Sequence, residues 1–237
     1  MNPTHLTLTT DFGEASPYVA AMKGVILSIN PMLRLVDLTH QISPQNLRET
    51  AFFLMHSLPL FPAETLHLIV VDPGVGTERA ALYVELGSLR LIAPDNGCWT
   101  WLTHCLPYEP VVYHLTERRY WRRSVSATFH GRDIFAPVAA HLCSGIKPSQ
   151  IGKRVEKWET LDLPTPTVSA NGIDGEILFV DHFGNLITNI PATMLGEHVE
   201  VEIGEHRITD FVRTYGEVTP GALIALLSSG GYLEVAL

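Results

Sequence analysis

Residues 66–85 have the sequence LHLIVVDPGVGTERAALYVE. An apolar run ends at Asp72, a glycine-rich turn follows, and Arg79 comes seven residues after Asp72. The apolar run predicts a buried strand of a parallel sheet. Such a strand presents Asp72 at the edge where open α/β sheets bind ligands. Gly74 and Gly76 allow backbone to approach that ligand closely. Two interpretations stay open: a reaction site, or an ordinary Asp-Pro-Gly turn with a surface ion pair.

The length and composition of the chain favour a globular protein with one large domain or two ordinary ones. The chain has 237 residues, of which 46% are hydrophobic, enough for a substantial core. Its longest apolar runs, LIVV at 68–71 and IALL at 224–227, fall far short of the ~20 residues that a membrane-spanning helix needs. The first residues, MNPTHLTLTTDFG, lack the basic and apolar regions of a signal peptide. We therefore expect a cytoplasmic protein without a membrane span.

The charge and the cysteines narrow the functional classes further. A formal net charge of −9 disfavours nucleic-acid binding, which needs clustered lysine and arginine. The basic cluster RRYWRR at 118–123 could suggest an RNA patch, but a solvated loop or a subunit contact is the favoured interpretation. Cys98, Cys105 and Cys143 have neither CxxC nor Cys/His ligand spacing. We expect buried free thiols rather than disulfides or a zinc site.

Up to about residue 145 the pattern alternates between strands and helices, which is typical of a parallel sheet covered by helices on both faces. The predicted strands are 5–10, 34–39 and 66–71, followed by a hairpin of ALYVEL and RLIAP across Gly87-Ser88. The predicted helices are one that ends at Ser28, with Ser16 as N-cap and Pro17 in its first turn, a second over 45–57 and a third over 132–143.

The second part of the chain has a different pattern. Residues 146–170 are polar and proline-rich, which indicates a linker. From Asn171 onward, short strands broken by Gly, Asn and Pro predict a small β-barrel or sandwich. We therefore expect an N-terminal α/β domain over 1–165 and a smaller C-terminal β domain over 166–237.

Two further segments bring reactive side chains to the predicted sheet edge. TTDFG at 9–13 places Asp11 just after the first strand, where a carboxylate commonly accepts hydrogen bonds from a ribose diol, although a helix cap or turn is equally consistent. SATFHGRDIFAP at 126–137 places His130 at a helix N-terminus, where the helix dipole disfavours protonation. A neutral histidine there can accept a proton or orient a water. A structural, hydrogen-bonded histidine is the alternative.

The C-terminal part adds VDHFGNLITNI at 180–190, where Asp181, Phe183 and Asn185 are spaced to share one face of a strand. An acid, an aromatic ring and an amide on one face suit a wall that stacks on a base and binds an amine. Core packing plus a turn is equally consistent. The chain has no P-loop, no GxGxxG after the first strand, no GxSxG elbow and no HExxH motif, and no metal-ligand cluster is evident.

Six motifs together resemble one enzyme family over nearly the whole chain: TTDFG, VVDPGVGTER, APDNG, SATFHGRDIFAP, VDHFGNLITNI and SSGGYLEVA. They are similar to motifs of the S-adenosylmethionine (SAM) hydroxide adenosyltransferases, also called adenosylmethionine hydrolases, whose superfamily includes fluorinase and chlorinase. The resemblance implies a Rossmann-like α/β domain with a mostly parallel sheet, a C-terminal β-barrel domain, and a homotrimer with active sites between subunits. It also implies SAM as substrate, adenosine as retained product, and no cofactor or metal.

The resemblance assigns roles to individual residues. The reactive triad falls on Asp72, Arg79 and His130. The expected substrate ligands are Asp11 for the ribose diol, Asp181 for the methionine amino group, Phe183 for stacking on adenine, Asn185 for the adenine edge, and Ser229 for the methionine carboxylate. The sequence departs from the pattern of this superfamily at two places. Gly230 follows Ser229 where the halogenases have arginine, and the sequence stops at Leu237, before residues whose backbone usually helps to hold adenine.

The mechanism implied by this resemblance is an in-line attack of a water-derived oxygen on ribose C5′. Arg79 and His130 would polarise or deprotonate a bound water while Asp72 orients it. The sequence leaves open whether His130 or uptake of hydroxide supplies the base. The rivals are a halogenase and a non-catalytic adenosine or SAM sensor. Asp72 disfavours the halogenase, because its charge repels a halide and the halogenases have tyrosine there; Gly131 likewise replaces their halide-binding serine.

Overall fold

The computed structural model describes residues 3–237, which divide into two compact units. The first unit ends at Leu161, and the second comprises Asp162–Leu237. Within the described range, no helix combines the length and the apolar character needed to cross a membrane.

The first unit is built on a seven-stranded mixed sheet with the order β2-β1-β3-β5-β4-β6-β7. Its strands are β1 (His5–Thr10), β2 (Arg34–Thr39), β3 (Thr65–Val70), β4 (Ala81–Leu86), β5 (Leu89–Pro94), β6 (Val111–His114) and β7 (Arg154–Val155). Strands β2, β1, β3 and β5 are parallel, which confirms the central part of the prediction. The β4–β5 hairpin also forms as predicted, but β4, β6 and β7 each pair antiparallel to their neighbours.

The α-helices of this unit are α1 (Tyr18–Ile29), α2 (Leu47–Ser57), α3 (Thr100–Cys105) and α4 (Ala136–Cys143). A π-helical segment, Gly131–Phe135, runs directly into α4, and short 3₁₀ turns cover Leu58–Leu60, Arg118–Tyr120 and Pro148–Gln150. The prediction of one α-helix over 132–143 is therefore wrong for its first turn, which is wider than an α-helix. The short helix α3 was not predicted.

The starts of α1 and α2 differ in how they are capped. Ser16 does not cap α1, contrary to the prediction, because its hydroxyl donates instead to the carbonyl of Phe12 at 2.9 Å, and Pro17 occupies the N-cap position. Helix α2 begins two residues later than predicted. There the side chain of Asn46 accepts a hydrogen bond from the backbone of Glu49, an ordinary N-cap that satisfies an otherwise unpaired donor.

The central strand β3 is buried on both faces, so its alternating side chains belong to two separate cores. Leu66, Leu68 and Val70 pack in a cluster with α1 and α4, whereas Ile69 packs in a second cluster with α2 and α3. The sheet is thus covered on both faces, as predicted, and the carboxyl end of β3 is packed between the two layers.

The cysteines agree only in part with the expectation of buried thiols. Cys98 and Cys143 are buried and free, and burial raises the pKa of each thiol to about 12. Cys105 is exposed, which contradicts the prediction for that residue. It is the last residue of α3, and its sulfur lies 3.2 Å from that of Met55.

The second unit consists of β-strands with short 3₁₀ turns, as predicted from Asn171 onward. A four-stranded antiparallel sheet has the order β10-β11-β15-β14, and two hairpins pair β8 with β9 and β12 with β13. The strands are β8 (Thr167–Ser169), β9 (Gly172–Asp174), β10 (Ile177–Val180), β11 (Leu186–Pro191), β12 (Val201–Ile203), β13 (His206–Ile208), β14 (Ile224–Leu227) and β15 (Tyr232–Ala236). A core around Ile190, Leu233 and Val235 supports them. A closed barrel stays a prediction.

Strand β3 also carries a buried titratable group. His67 is 1% exposed, and its Nδ1 lies 2.8 Å from the hydroxyl of Thr7 on β1. Burial lowers the pKa of His67 to about 4, because the low-dielectric interior disfavours the charged ring.

We predict that His67 makes the fold less stable as the pH falls from its usual pKa of 6.5 to about 4. In that window the unfolded chain takes up a proton at His67 and the native state does not, so the free energy of unfolding decreases by about 3 kcal/mol. Urea denaturation across the window should show a flatter pH dependence for His67→Gln. The exposed control His104→Gln should keep the wild-type slope. Equal slopes for wild type and His67→Gln would refute this assignment.

Candidate active site

Two carboxylates follow neighbouring strands at the same edge of the first unit's sheet. Strands β1 and β3 are parallel, with Thr10 opposite Val70, so both chains leave the sheet side by side. Asp11 follows β1 directly, and Asp72 comes two residues after β3. This edge lies at the carboxyl ends of the parallel strands, where open α/β sheets bind ligands.

The turn after Asp72 is compact and brings Arg79 back onto the carboxylate. Val75 N–H donates to the carbonyl of Asp72 at 3.2 Å, and Thr77 N–H donates to that of Gly74 at 3.1 Å. Arg79 Nε then donates to Asp72 Oδ1 at 2.7 Å, and Arg79 Nη2 donates to Asp72 Oδ2. The side chains of Arg79 and Asp72 are only 9% and 5% exposed. The surface ion pair considered from sequence is therefore excluded, because this bidentate pair is buried.

The same guanidinium also contacts His130. Arg79 Nη2 lies 3.1 Å from His130 Nδ1. Arginine has donors and no acceptor, so Nδ1 must accept, and the proton of the neutral imidazole resides on Nε2. Burial, followed by the positive charge of Arg79, lowers the pKa of His130 below its usual value, against the opposing charges of Asp72 and Asp133. His130 therefore stays neutral near pH 7 and presents an N–H donor at Nε2.

The loop that carries His130 packs on the glycine turn after Asp72. We call residues 122–130 the 122–130 loop. Gly76 has a φ of +80°, and a Cβ atom there would lie 2.3 Å from the carbonyl oxygen of Ala127. On the other side, the ring of Phe129 meets Phe12 and Tyr18 at centroid distances of 5.8 and 5.1 Å. These contacts join the segments after β1 and β3 to the segment that holds His130.

A cavity of about 870 Å³ opens beside Arg79 and His130, and both side chains line it. Arg118, Arg122 and Arg123 of the basic cluster line the same cavity. The sequence prediction of a solvated loop or subunit contact did not include this role. The lining of the cavity thus includes three arginines besides Arg79, together with one carboxylate, Glu78.

Sequence reasoning missed two residues that support this arrangement. Asn96 Nδ2 donates to the carbonyl of Val71 at 2.9 Å and so holds the backbone just before Asp72. The available signal was the APDNG motif after β5, the strand that pairs with β3. Asp133 is wholly buried and binds Arg122 and Arg132, which the letters HGRD alone did not reveal.

Asp11, directly after β1, binds the loop that follows β2. Its Oδ2 accepts a hydrogen bond from the backbone of Gln45 at 2.9 Å. Gln45 has a φ of +63°, an uncommon conformation for a residue other than glycine. The Asp11 carboxylate therefore holds a strained loop after β2 and remains partly exposed at the sheet edge.

In the second unit, Asp181, Phe183 and Asn185 do not share a strand face, so that prediction is wrong. They lie in the turn between β10 and β11. Asp181 Oδ1 accepts from the backbone of Phe183 at 2.8 Å and of Asn185 at 2.9 Å, and its Oδ2 accepts from Asn185 Nδ2. Because the carboxylate organises the turn, the Phe183 ring projects outward and is 87% exposed. Ser229 is exposed in the turn between β14 and β15.

Within residues 3–237 no group of three or more His, Cys, Asp or Glu side chains is arranged to hold a metal ion. The chemistry available at the sheet edge therefore comes from a buried carboxylate, a guanidinium and a neutral imidazole in one hydrogen-bonded row. Such a row can hold and polarise a small oxygen nucleophile.

Two family models match the chain in order. The SAM hydroxide adenosyltransferase N-terminal domain matches residues 6–152, and the C-terminal domain of the same family matches residues 175–237. The chain belongs to the SAM hydroxide adenosyltransferase family. The resemblance drawn from the six sequence motifs is thereby confirmed.

Similar proteins agree with this family membership. The chain is 40% identical to an (R)-S-adenosyl-L-methionine hydrolase of Salinispora tropica, covering 100% of this chain and 92% of the relative. It is 42% identical to a protein of that name from Thermus thermophilus, covering 96% and 89%. A fluorinase of Actinoplanes is 27% identical, covering 98% and 90%. A solved structure of an uncharacterized conserved protein from Thermotoga maritima has 36% identity and a TM-score of 0.90, covering 98% of this chain and 92% of that one.

We predict that Gly76→Ala displaces the 122–130 loop and separates His130 from Arg79, because the new Cβ would overlap the carbonyl of Ala127. Gly221→Ala is the matched control, since Gly221 has a φ of +86° and an added Cβ meets nothing within 4 Å. Both variants carry backbone strain of about 1–2 kcal/mol. The imidazole NMR signals of His130, assigned by their loss in His130→Gln, should shift in Gly76→Ala alone. Unshifted His130 signals in a folded Gly76→Ala protein would show that the loop does not depend on this contact.

Proposed function

We propose that this protein hydrolyses SAM to adenosine and L-methionine by attack of a water-derived oxygen on ribose C5′. The observation that carries the proposal is the hydrogen-bonded row Asp72–Arg79–His130 at the sheet edge, in which the Asp72–Arg79 pair is buried and His130 lines the cavity, so that the row presents donors to a small oxygen nucleophile. The names of the relatives at 40% and 42% identity support the same activity.

The catalytic roles follow from the donor pattern of the row. His130 Nδ1 is occupied by Arg79, so His130 faces the nucleophile through Nε2–H rather than as a base. Arg79 and His130 then hold the oxygen of water or hydroxide by donated hydrogen bonds, and a free lone pair of Asp72 orients the remaining O–H. Of the two sources of base that the sequence left open, this pattern favours uptake of hydroxide over deprotonation of water by His130.

The reaction balances without a cofactor. A C5′–O bond forms while the C5′–S bond breaks, and its electron pair returns to sulfur, which leaves as the neutral thioether of methionine. With hydroxide as nucleophile no proton is left over, and with water one proton passes to solvent. The leaving group needs no general acid. A water-poor site favours the step, because opposite charges on sulfonium and hydroxide are neutralised as it proceeds.

Substrate binding is proposed for residues of both units. Asp11 binds the ribose diol, Asp181 the amino group of the methionine part, and Ser229 its carboxylate. Phe183 stacks on adenine with its exposed ring, and Asn185 contacts the adenine edge. Stacking on an exposed aromatic ring contributes about 1–3 kcal/mol per base.

The higher-order organisation belongs to the same proposal. We propose a homotrimer with active sites between subunits, a closed C-terminal barrel, and a domain boundary between residues 165 and 166. The cytoplasmic location stays a prediction from the sequence.

The main alternative reaction is halide transfer, because fluorinases are also relatives of this chain, although at lower identity than the hydrolases. Two features oppose it. The buried Asp72 carboxylate repels a halide at the nucleophile position, whereas water or hydroxide offsets that repulsion by donating an O–H to the carboxylate. A Cβ at Gly131 would lie 3.1 Å from Val70 Cγ1 and 3.3 Å from Met22 Sδ, so this packing resists a halide-binding serine at that position.

Incubation with SAM in ¹⁸O-labelled water separates the three candidate functions. We predict ¹⁸O in the 5′-hydroxyl of the adenosine formed and stoichiometric release of methionine. Halide-dependent 5′-haloadenosine would indicate the halogenase instead, and intact SAM bound to the protein would indicate a sensor. Either of these results overturns the proposal.

We further predict that His130→Ala lowers kcat about 100-fold or more, because one donor to the nucleophile is lost. Asp72→Asn should have at least as large an effect, since it leaves Arg79 without its buried counter-charge. Both variants should still bind adenosine in equilibrium dialysis. His206→Ala, at an exposed position on β13, serves as the control with wild-type turnover. Wild-type kcat in folded His130→Ala would remove this residue from the mechanism.

A further inference from the structure

Asp133 is a buried carboxylate that the proposed reaction does not use. It is 0% exposed and lies in the π-helical segment, three residues after His130. Its Oδ1 accepts from Arg122 Nη1 at 3.0 Å and Arg132 Nε at 2.7 Å. Its Oδ2 accepts from the backbone of Ser126 at 2.9 Å and from Arg132 Nη2 at 2.8 Å. These four donors hold the pKa of Asp133 at about 2, against the opposing effect of burial.

The bonds of Asp133 reach the beginning, the middle and the end of the 122–130 loop. Arg122 and Ser126 belong to the beginning and middle of the loop, and both donate to the carboxylate. The main chain repeats the link, because Arg122 N–H donates to the carbonyl of Asp133 at 2.9 Å and Asp133 N–H donates to that of Phe129 at 3.2 Å. Arg132, the residue immediately before Asp133, neutralises the carboxylate but does not link it to the 122–130 loop.

The 122–130 loop carries two residues that contact the segment after β3. His130 ends the loop and contacts Arg79, and Ala127 lies against Gly76 in the turn after Asp72. Arg122 is also one of the arginines that line the cavity beside Arg79. Loss of the bonds of Asp133 would therefore move His130 away from Arg79 while leaving the Asp72–Arg79 pair in place.

We propose that Asp133 is a positioning residue: it clamps the 122–130 loop over the turn after Asp72 and thereby holds His130 Nδ1 on Arg79. The kinetic part of this inference rests on the proposed function, whereas the placement of His130 can be measured without any activity.

The test variant is Asp133→Asn, which removes the charge and turns one acceptor into a donor facing Arg122 and Arg132. We expect kcat for SAM hydrolysis to fall about 10-fold to 100-fold. The KM should change much less, because none of the proposed substrate ligands lies in the loop. The matched control is Glu200→Gln, which makes the same carboxylate-to-amide change in an exposed bidentate pair with Arg207 and should keep the wild-type kcat.

The pKa of His130, measured by NMR, separates positioning from a through-space effect. The charge of Asp133 raises this pKa, so losing the charge alone would lower it further. Opening of the loop would raise the pKa of His130, because burial and the charge of Arg79, the two causes that lower this pKa, would both be lost. We therefore expect the pKa of His130 in Asp133→Asn to rise toward 6.5, with the acidic limb of the pH–rate profile moving to higher pH.

Arg122→Gln is the second variant; it leaves the bonds of Asp133 to Ser126 and Arg132 in place, and the Arg122 side chain is 45% exposed. It should lower kcat and shift the imidazole NMR signals of His130; loss of the positive charge of Arg122 raises the pKa of His130 by itself, so the pKa comparison is made in Asp133→Asn. A lowered or unchanged pKa of His130 in folded Asp133→Asn, or unshifted His130 signals in Arg122→Gln, would overturn the clamp. If the wild-type protein does not hydrolyse SAM, the proposed function fails, and the pKa comparison still decides the role of Asp133.

Discussion

The arrangement at the sheet edge depends on one interaction, the buried bidentate ion pair between Asp72 and Arg79. Removing one partner of such a pair costs about 3–5 kcal/mol in stability, because the other charge is left unpaired in an environment of low dielectric constant. The pair also determines the tautomer of a third group, the imidazole of His130. With both carboxylate oxygens bound, Arg79 directs a remaining donor to His130 Nδ1 and fixes the proton of the imidazole on Nε2.

Two segments of the fold hold the groups of this interaction in place. Strand β3, buried between two helical layers, delivers Asp72 to a fixed point, and Asn96 from the segment after β5 holds the backbone beside it. The π-helical segment before α4 supplies His130, and Asp133 of that segment anchors the loop that packs on Gly76. Arg122, which lines the cavity beside Arg79, is held by the same packing through its hydrogen bond to Asp133.

The sequence predicted what depends on local pattern. The apolar run before Asp72 and the alternation at 5–10 located β3 and β1, and their parallel pairing followed from the alternation of strands and helices between them. Long-range contacts were invisible: nothing in RDIF indicates that Asp133 binds Arg122, eleven residues earlier. The face assigned to Asp181, Phe183 and Asn185 failed for another reason. A two-residue spacing fits a strand and equally fits a turn whose aspartate accepts two backbone N–H groups, and the turn is what forms.

Arg79 holds His130 through Nδ1 as a neutral hydrogen-bond donor. A long-range ¹⁵N NMR spectrum of the His130 imidazole, recorded as a function of pH, measures both the tautomer and the pKa of this ring. We expect the tautomer with the proton on Nε2 and a pKa below 6.5. A proton on Nδ1 at neutral pH, or a pKa of 6.5 or above, would show that Arg79 does not hold the ring in this way.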